Sequence, residues 1–195
     1  GLVGSEMCIR DSVKTIGIVG TGVQARLQLR YLKDIVNCRN VIVWGRNQKA
    51  LLRYEKEMSM YEYQITTTTN MSDIVEHCQL IVTCTPSERS LINAVRPGTH
   101  ITAIGSDTVS KRELSSDVML QADMIVTDSK DQSRIRGEIY QVLKDGNSLD
   151  GITELGQIIS GKIEGRVSQE HITIADLTGV AVQDIQISKA VLKNL

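Results

Sequence analysis

The chain has 195 residues, of which 41% are hydrophobic; this suffices for the core of one medium-sized domain and argues against wholesale disorder. The net charge of −1 gives no sign of a nucleic-acid partner or of binding to a membrane surface. Aromatic residues make up 3% and Phe is absent, so the core must come from Ile, Val, Leu, Ala and Met, a composition that suits buried parallel strands.

From Val13 onward, apolar strand-like segments alternate with helix-like segments. Strands are predicted over residues 13–19, 40–44, 63–67, 80–85, 100–104, 124–127 and 172–175. Helices are predicted over 23–36, 48–60, 72–77 (capped by Ser72), 110–120 (opened by a capping box at 110–113), 131–143, 153–159 and 179–195. This alternation predicts an α/β fold, a doubly wound parallel sheet of the Rossmann type.

The first twelve residues do not fit this pattern. Residues 1–12 have no regular period and lack the apolar segment of a secretory signal; they resemble translated sequencing-adapter read-through, and we interpret them as a non-native leader. Residues 13–178 are expected to form the dinucleotide-binding domain, followed by a C-terminal helix over 179–195. No apolar run approaches the ~20 residues that a membrane span needs.

Other polar side chains look structural. Four cysteines form no C-x-x-C pair and have no histidine at metal-ligand spacing: Cys8, Cys38, Cys78 and Cys84. They are interpreted as small buried residues or inert thiols of a reducing cytosol, so we expect a cytoplasmic protein without a metal site. Asp176 and Asp184 are interpreted as cap or surface carboxylates.

The strongest local signal is a G-x-G-x-x-A sequence directly after the first strand and before the first helix. Gly20 permits the tight turn, Gly22 lets the backbone approach a pyrophosphate, and Ala25 lets the helix pack close to the strand. The helix N-terminus would offer free N–H groups to the phosphates. The predicted cofactor-binding residues here are Gly20, Thr21, Gly22, Val23 and Gln24. The alternative is a structural glycine turn that binds nothing.

The end of the second strand bears on the choice of cofactor. An NAD site usually places a carboxylate there, bonded to the ribose 2′-hydroxyl, whereas this segment reads Val43-Trp44-Gly45-Arg46-Asn47. Arg46, with Asn47 beside it, could instead bind a 2′-phosphate. NADP(H) is therefore favoured and NAD(H) stays possible; the alternative for Arg46 is an exposed residue at a helix start without a ligand.

Several ordered segments resemble the ornithine cyclodeaminase/mu-crystallin family. They are the glycine loop, Val82-Thr83-Cys84-Thr85-Pro86-Ser87, Arg96-Pro97-Gly98-Thr99-His100, Gly105-Ser106-Asp107 with Lys111-Arg112-Glu113-Leu114, Glu154-Leu155-Gly156 with Ile159-Ser160-Gly161-Lys162, and Ile174-Ala175-Asp176-Leu177-Thr178-Gly179. The branch of ectoine-utilisation cyclodeaminases is the most similar, through Gln24-Ala25-Arg26-Leu27-Gln28 and Val43-Trp44.

The resemblance implies an NAD(P)-dependent oxidoreductase or cyclodeaminase that acts on a small amino or imino acid by hydride transfer at Cα, with loss of ammonia in the cyclodeaminases. Asp107 matches the family's catalytic aspartate, a role as general base that suits a carboxylate. Lys111 matches a lysine that contacts the cofactor. Thr85 and Ser87 follow the fourth strand, where a dinucleotide lies across the strand ends. Alternatively, Asp107 is a turn residue and Lys111 a solvated helix residue.

The resemblance also implies a further half, preceding this domain, that binds the substrate carboxylate and forms a homodimer. Nothing in the chain matches it, so we expect a cofactor-binding fragment with negligible turnover, whose helix over 179–195 would pack on the missing half. Two alternatives stay open. One is a non-catalytic, nucleotide-binding protein of the mu-crystallin kind, and the other is an incomplete gene model without independent function.

Overall fold

The computed structural model describes residues 13–179. The predicted leader over 1–12, Asp184 and all but the first residue of the predicted C-terminal helix lie outside the described residues. Within residues 13–179, eight strands, all paired in parallel, form one sheet. They are β1 (Ile16–Val19), β2 (Asn40–Trp44), β3 (Gln64–Thr68), β4 (Leu80–Thr83), β5 (His100–Ala103), β6 (Met124–Thr127), β7 (Thr153–Glu154) and β8 (Thr173–Asp176).

Helices connect the strands and cover both faces of the sheet. They are α1 (Val23–Leu32), α2 (Gln48–Met58), α3 (Met71–His77), α4 (Ser116–Leu120), α5 (Lys130–Ser133), α6 (Glu138–Lys144) and α7 (Leu155–Ile159), with a 3-10 turn at Ser59–Tyr61. The predicted doubly wound parallel sheet is confirmed.

The order of the strands across the sheet is β3-β2-β1-β4-β5-β8-β6-β7. From β1 the chain winds outward to β3, and it then returns to place β4 on the other side of β1. In open α/β sheets a crevice forms outside the carboxyl ends of the strands at such a reversal. The topology therefore puts the loops after β1 and β4 side by side at the place where ligands usually bind.

Successive residues of a strand point to opposite sides of the sheet, and helices pack against both sides. On one face, Ile18 of β1 belongs to an apolar cluster with Leu29 of α1 and Leu51 of α2. On the other face, Val19 of β1 belongs to a second cluster with Ile139 of α6. This double burial explains why β1 and β4, which are buried along their whole length, read as nearly continuous apolar runs in the sequence.

Two tyrosines take the place that phenylalanine often has in such a core, and each hydroxyl is satisfied by a backbone carbonyl. Tyr54 of α2 donates to the carbonyl oxygen of Ala25 at 2.9 Å, and Tyr63 donates to that of Leu29 at 2.9 Å. Burial raises the pKa of Tyr63 to about 12 and also raises that of Tyr54, so both stay neutral donors. Tyr54 thereby ties α2 to the first turn of α1.

The predicted capping box at residues 110–113 is wrong. The helix begins at Ser116, and its cap is Ser115, whose side chain accepts a hydrogen bond from the N–H of Val118. Glu113 lies before this helix with its side chain fully buried, where it accepts hydrogen bonds from distant loops. The spacing of residues 110–113 suggested that Glu113 belongs to a helix cap, but hydrogen bonds to distant loops determine where the Glu113 carboxylate lies.

Three smaller differences from the prediction concern the ends of helices. The cap of α3 is Asn70, whose side chain accepts from the N–H of Ser72, rather than Ser72 itself. The helix predicted over 131–143 is broken into α5 and α6 at Gly137, which has a φ of +97°. The predicted helix over 153–159 begins with a two-residue strand, and Glu154 then caps α7.

Between residues 13 and 179, no helix is long and apolar enough to cross a membrane. In the same range, no group of three or more His, Cys, Asp or Glu side chains is arranged to hold a metal ion.

Candidate functional site

The glycine loop follows β1 and begins with a residue that only glycine suits. Gly20 has a φ of +123°, and its N–H donates to the carbonyl oxygen of Trp44 at 2.9 Å. A Cβ at this position would lie 3.0 Å from the carbonyl oxygen of Cys84. The turn therefore requires glycine both for its backbone conformation and for the close approach of the chain after β4.

Gly22 forms the N-cap of α1 and has no side-chain cap. A Cβ at Gly22 would meet nothing within 4 Å, and α1 has no acidic residue in its first turn. Within the described part of the chain, the N–H groups of Gly22, Val23 and Gln24 have no hydrogen-bond acceptor. An uncapped helix N-terminus beside open space is suited to an anionic group such as a pyrophosphate.

A cleft of about 160 Å³ lies between the loops that follow β1, β2 and β4. Six of the predicted cofactor-binding residues line it: Gly20, Thr21, Gly22, Arg46, Thr85 and Ser87. Trp44, Gly45, Cys84, Pro86 and Leu91 complete the lining. Val23 and Gln24 lie exposed at the start of α1, next to this cleft rather than in its wall.

The loop after β2 contributes Arg46 to the cleft, and no carboxylate is among the lining residues. Arg46 is exposed and has no ion-pair partner within residues 13–179. Asn47 caps α2, since its side-chain oxygen accepts from the N–H groups of Lys49 at 2.9 Å and Ala50 at 3.3 Å. That oxygen has a structural task, and contact between Asn47 and a cofactor stays a prediction.

The loop after β4 presents its polar groups in a fixed turn. The N–H of Ser87 donates to the Thr85 hydroxyl at 3.3 Å, and the Ser87 hydroxyl donates to the carbonyl oxygen of Arg89 at 2.7 Å. The Cys84 thiol lies 3.4 Å from the carbonyl oxygen of Val19, and burial raises the pKa of this thiol. Burial therefore favours the neutral thiol of Cys84 in the wall of the cleft.

Asp107 and Lys111 lie together on the loop after β5, and neither lines the cleft. The ammonium nitrogen of Lys111 is 2.6 Å from Oδ1 of Asp107. The Asp107 side chain is 54% exposed and that of Lys111 26%, so the carboxylate is accessible to a substrate. The predicted catalytic aspartate is thus oriented by the lysine that was predicted to contact the cofactor.

Sequence reasoning missed Glu113, the residue that joins the loops after β4 and β5. Its carboxylate accepts from the Thr83 hydroxyl at 2.7 Å, the N–H of Thr85 at 2.6 Å and the N–H of Gly105 at 3.0 Å. Burial raises the pKa of Glu113, and the surrounding donors oppose this effect. A Cβ at Gly105 would overlap the carboxylate, which explains the glycine two residues before Asp107.

Two more buried carboxylates lie near Glu113, and one of them, Glu138, bonds to its backbone. Glu138 accepts from the N–H groups of Glu113 at 2.8 Å and Leu114 at 3.1 Å, and Asp176 accepts from the N–H of Ile139 at 2.9 Å. Burial, reinforced by the charge of Asp176, raises the pKa of Glu138 to about 8, and burial raises that of Asp176 to about 7. Asp176 bonds to the first turn of α6, as a cap residue does, but it is buried and does not lie at the surface.

Comparisons with known proteins agree with this architecture. A family model described as ornithine cyclodeaminase/mu-crystallin matches residues 3–195. An uncharacterized cyclodeaminase, y4tK, of Sinorhizobium fredii is 35% identical over 193 residues, which are 96% of this chain and 58% of that protein.

Two solved structures superimpose over nearly the whole chain. An archaeal alanine dehydrogenase dimer with bound NAD has a TM-score of 0.88 and 31% identity, covering 99% of this chain and 62% of its own. The iminosuccinate reductase of Paracoccus denitrificans in complex with NAD+ has a TM-score of 0.90 and 28% identity, covering 98% and 59%. The chain thus spans about three fifths of the length of these relatives.

Proposed function

Because the chain belongs to the ornithine cyclodeaminase/mu-crystallin family, we propose that it binds a nicotinamide dinucleotide in the cleft beside the glycine loop. The binding would serve an oxidoreductase or cyclodeaminase that acts on a small amino or imino acid. The observation that carries the proposal is the uncapped start of α1, whose free N–H groups adjoin the cleft. The NAD that the two neighbouring structures contain gives further support.

The residues present fit the phosphates of such a cofactor. The N–H groups of Gly22 and Val23 would donate to the pyrophosphate, and the open space at Gly22 leaves room for its oxygen atoms. Thr85 and Ser87 would flank the part of the dinucleotide that crosses the ends of the strands. When bound, the nicotinamide supplies the acceptor or donor of a hydride.

The role proposed for Asp107 is proton transfer. Its exposed carboxylate would accept a proton from the substrate nitrogen or from a water molecule. Lys111 holds Oδ1 of this carboxylate at 2.6 Å and leaves Oδ2 for the substrate. Glu113, through the N–H groups of Thr85 and Gly105, holds the two loops at a fixed separation.

The relatives are longer than this chain, and we expect turnover to require the part of their sequence that this chain does not cover. That part would include the residues that bind the substrate carboxylate. A homodimer is expected for the longer protein. The neighbouring alanine dehydrogenase is described as a dimer, which supports this expectation for a related protein.

We propose that NADP(H) is favoured over NAD(H). A carboxylate that binds the ribose 2′-hydroxyl is absent from the lining of the cleft, and Arg46 stands in its wall. A guanidinium forms two parallel hydrogen bonds to a phosphate, whereas the 2′-hydroxyl of NADH offers no negative charge.

Calorimetric titration of the folded chain with NADPH and with NADH tests this proposal. NADPH is expected to bind more tightly, and Arg46→Ala should weaken NADPH binding by about tenfold to a hundredfold, the range of a lost charge-assisted pair. NADH affinity should not change in this variant. Equal affinity for the two nucleotides would rule out the preference, and a cooperatively folded chain that binds neither would rule out the nucleotide site.

A further inference from the structure

Arg26 lies one turn into α1, and its guanidinium turns back toward the glycine loop. Its Nη1 donates to the carbonyl oxygens of Thr21 and of Gly22, the latter at 2.9 Å. The side chain is 22% exposed; its bond to Thr21 is partly buried, and its bond to Gly22 is exposed. The cation therefore holds two consecutive peptide groups of the loop.

Two residues of α2 hold Arg26 in this position. Its Nε lies 2.6 Å from the Glu57 carboxylate, and its guanidinium lies 5.1 Å from the centre of the Tyr54 ring. Hydrogen bonds from Arg53 and Arg26 lower the pKa of Glu57, so this anchor is ionised at neutral pH. The Tyr54 hydroxyl in turn bonds to the carbonyl of Ala25, so α2 braces the start of α1 at two points.

The direction of the two carbonyls determines the direction of the next two N–H groups. In a planar trans peptide the C=O and N–H bonds point in opposite directions. The Arg26 side chain holds the carbonyls of Thr21 and Gly22, and the backbone N–H of Arg26 also donates to the carbonyl of Gly22 at 3.4 Å, so the N–H groups of Gly22 and Val23 point away from Arg26. Those two N–H groups have no acceptor in the part of the chain that the structure describes, and the space beside Gly22 is open.

We infer that Arg26 is a positioning residue that presents the N–H groups of Gly22 and Val23 to the pyrophosphate of the dinucleotide. The inference rests on the proposed function of the cleft. It assigns to Arg26 a part different from that of Arg46. Arg46 would bind the 2′-phosphate, which only NADP(H) has, whereas Arg26 acts on the pyrophosphate, which both nucleotides share. Loss of Arg26 should therefore affect NADPH and NADH alike.

The test is calorimetric titration of NADPH and NADH into wild type, Arg26→Ala and Arg53→Ala. Arg53 is a matched control, because it pairs with the same Glu57 at 2.6 Å but is 77% exposed and does not bond to the glycine loop. Arg26→Ala should weaken the binding of NADPH and of NADH by the same factor of about tenfold or more, because charge-assisted hydrogen bonds at the loop are lost. Arg53→Ala should change neither affinity.

Amide proton spectra of the nucleotide-free variants give a second readout. In Arg26→Ala the signals of Gly22 and Val23 should shift or broaden, while the thermal melt stays cooperative. If Arg26→Ala fails to fold, Glu57→Gln replaces it; this variant keeps Arg26 but weakens its anchor, and it should reduce both affinities by a smaller common factor.

Three results would overturn the inference. The first is unchanged affinity for both nucleotides in folded Arg26→Ala, or in Glu57→Gln where that variant is the one used. The second is a loss confined to NADPH, which would make Arg26 a ligand of the 2′-phosphate. The third is an equal loss in Arg53→Ala. A folded wild-type chain that bound neither nucleotide would instead refute the proposed function, and the inference with it.

Discussion

At the scale of single residues, the two glycines of the loop serve different purposes. Gly20 is required by the fold, because its φ is +123° and a Cβ would meet the carbonyl oxygen of Cys84 at 3.0 Å. Gly22 has a φ of −80° and a ψ of −172°, which any residue adopts, and it has open space around it. The folded chain therefore does not need glycine at position 22, and a ligand that approaches the backbone would explain it.

The buried carboxylates should make the free energy of unfolding depend on pH. Glu138 has a pKa raised to about 8 by burial and by the charge of Asp176, so the folded chain favours its protonated form. The stability that this proton contributes is fully present at pH values below the ordinary pKa of a glutamate, where the unfolded chain is protonated too. It is lost as the pH rises from there through about 8, the pKa of Glu138 in the folded chain. Wild type should therefore lose unfolding free energy between pH 5 and pH 8.

In Glu138→Gln this decline should be shallower, by on the order of 1 kcal/mol per pH unit at most, because one titrating group is gone. Asp176, with a pKa of about 7, keeps part of the slope. Urea unfolding at pH 5, 6, 7 and 8 measures both proteins. Identical slopes would show that Glu138 does not titrate in this range.

At the scale of elements, most strands and the starts of α1 and α2 could be predicted from the sequence, whereas the start of α4 could not. The bounds of β2 and β6 match the prediction, and each of these apolar runs is followed by a turn-forming residue, Gly45 or Asp128. The break between α5 and α6 had no local signal. It depends on Gly137, where a Cβ would lie 2.7 Å from the carboxylate of Asp176, almost forty residues along the chain.

The start of α4 provides a direct test of the corrected helix cap. Ser115→Ala should reduce the free energy of unfolding by about 1 kcal/mol, because its hydroxyl accepts the hydrogen bond from the N–H of Val118. Ser110→Ala is the matched control at the position where the sequence pattern placed the cap, and it should change stability by less than about 0.5 kcal/mol. Equal losses in the two variants by denaturant unfolding would contradict the assignment.

At the scale of the whole molecule, the sheet itself explains why much of the candidate site could be predicted. Parallel strands bring the loops after β1, β2 and β4 to one edge, so residues far apart in sequence line a single cleft. Arg26 and Glu113 could not be assigned in this way. Their roles depend on partners in α2 and in two separate loops, and these contacts leave no periodic or spaced pattern in the sequence.

Titration of NADPH into wild type and Gly22→Ala tests whether the glycine loop binds a dinucleotide. The substitution should leave the cooperative unfolding transition intact, since an added methyl group meets no protein atom and the backbone conformation is ordinary. It should weaken NADPH binding by roughly tenfold to a hundredfold, because the methyl group would occupy space needed by the pyrophosphate. Gly156→Ala, at another open glycine on α7, is the control and should bind like wild type. NADPH binding in folded Gly22→Ala as tight as in wild type would contradict the account.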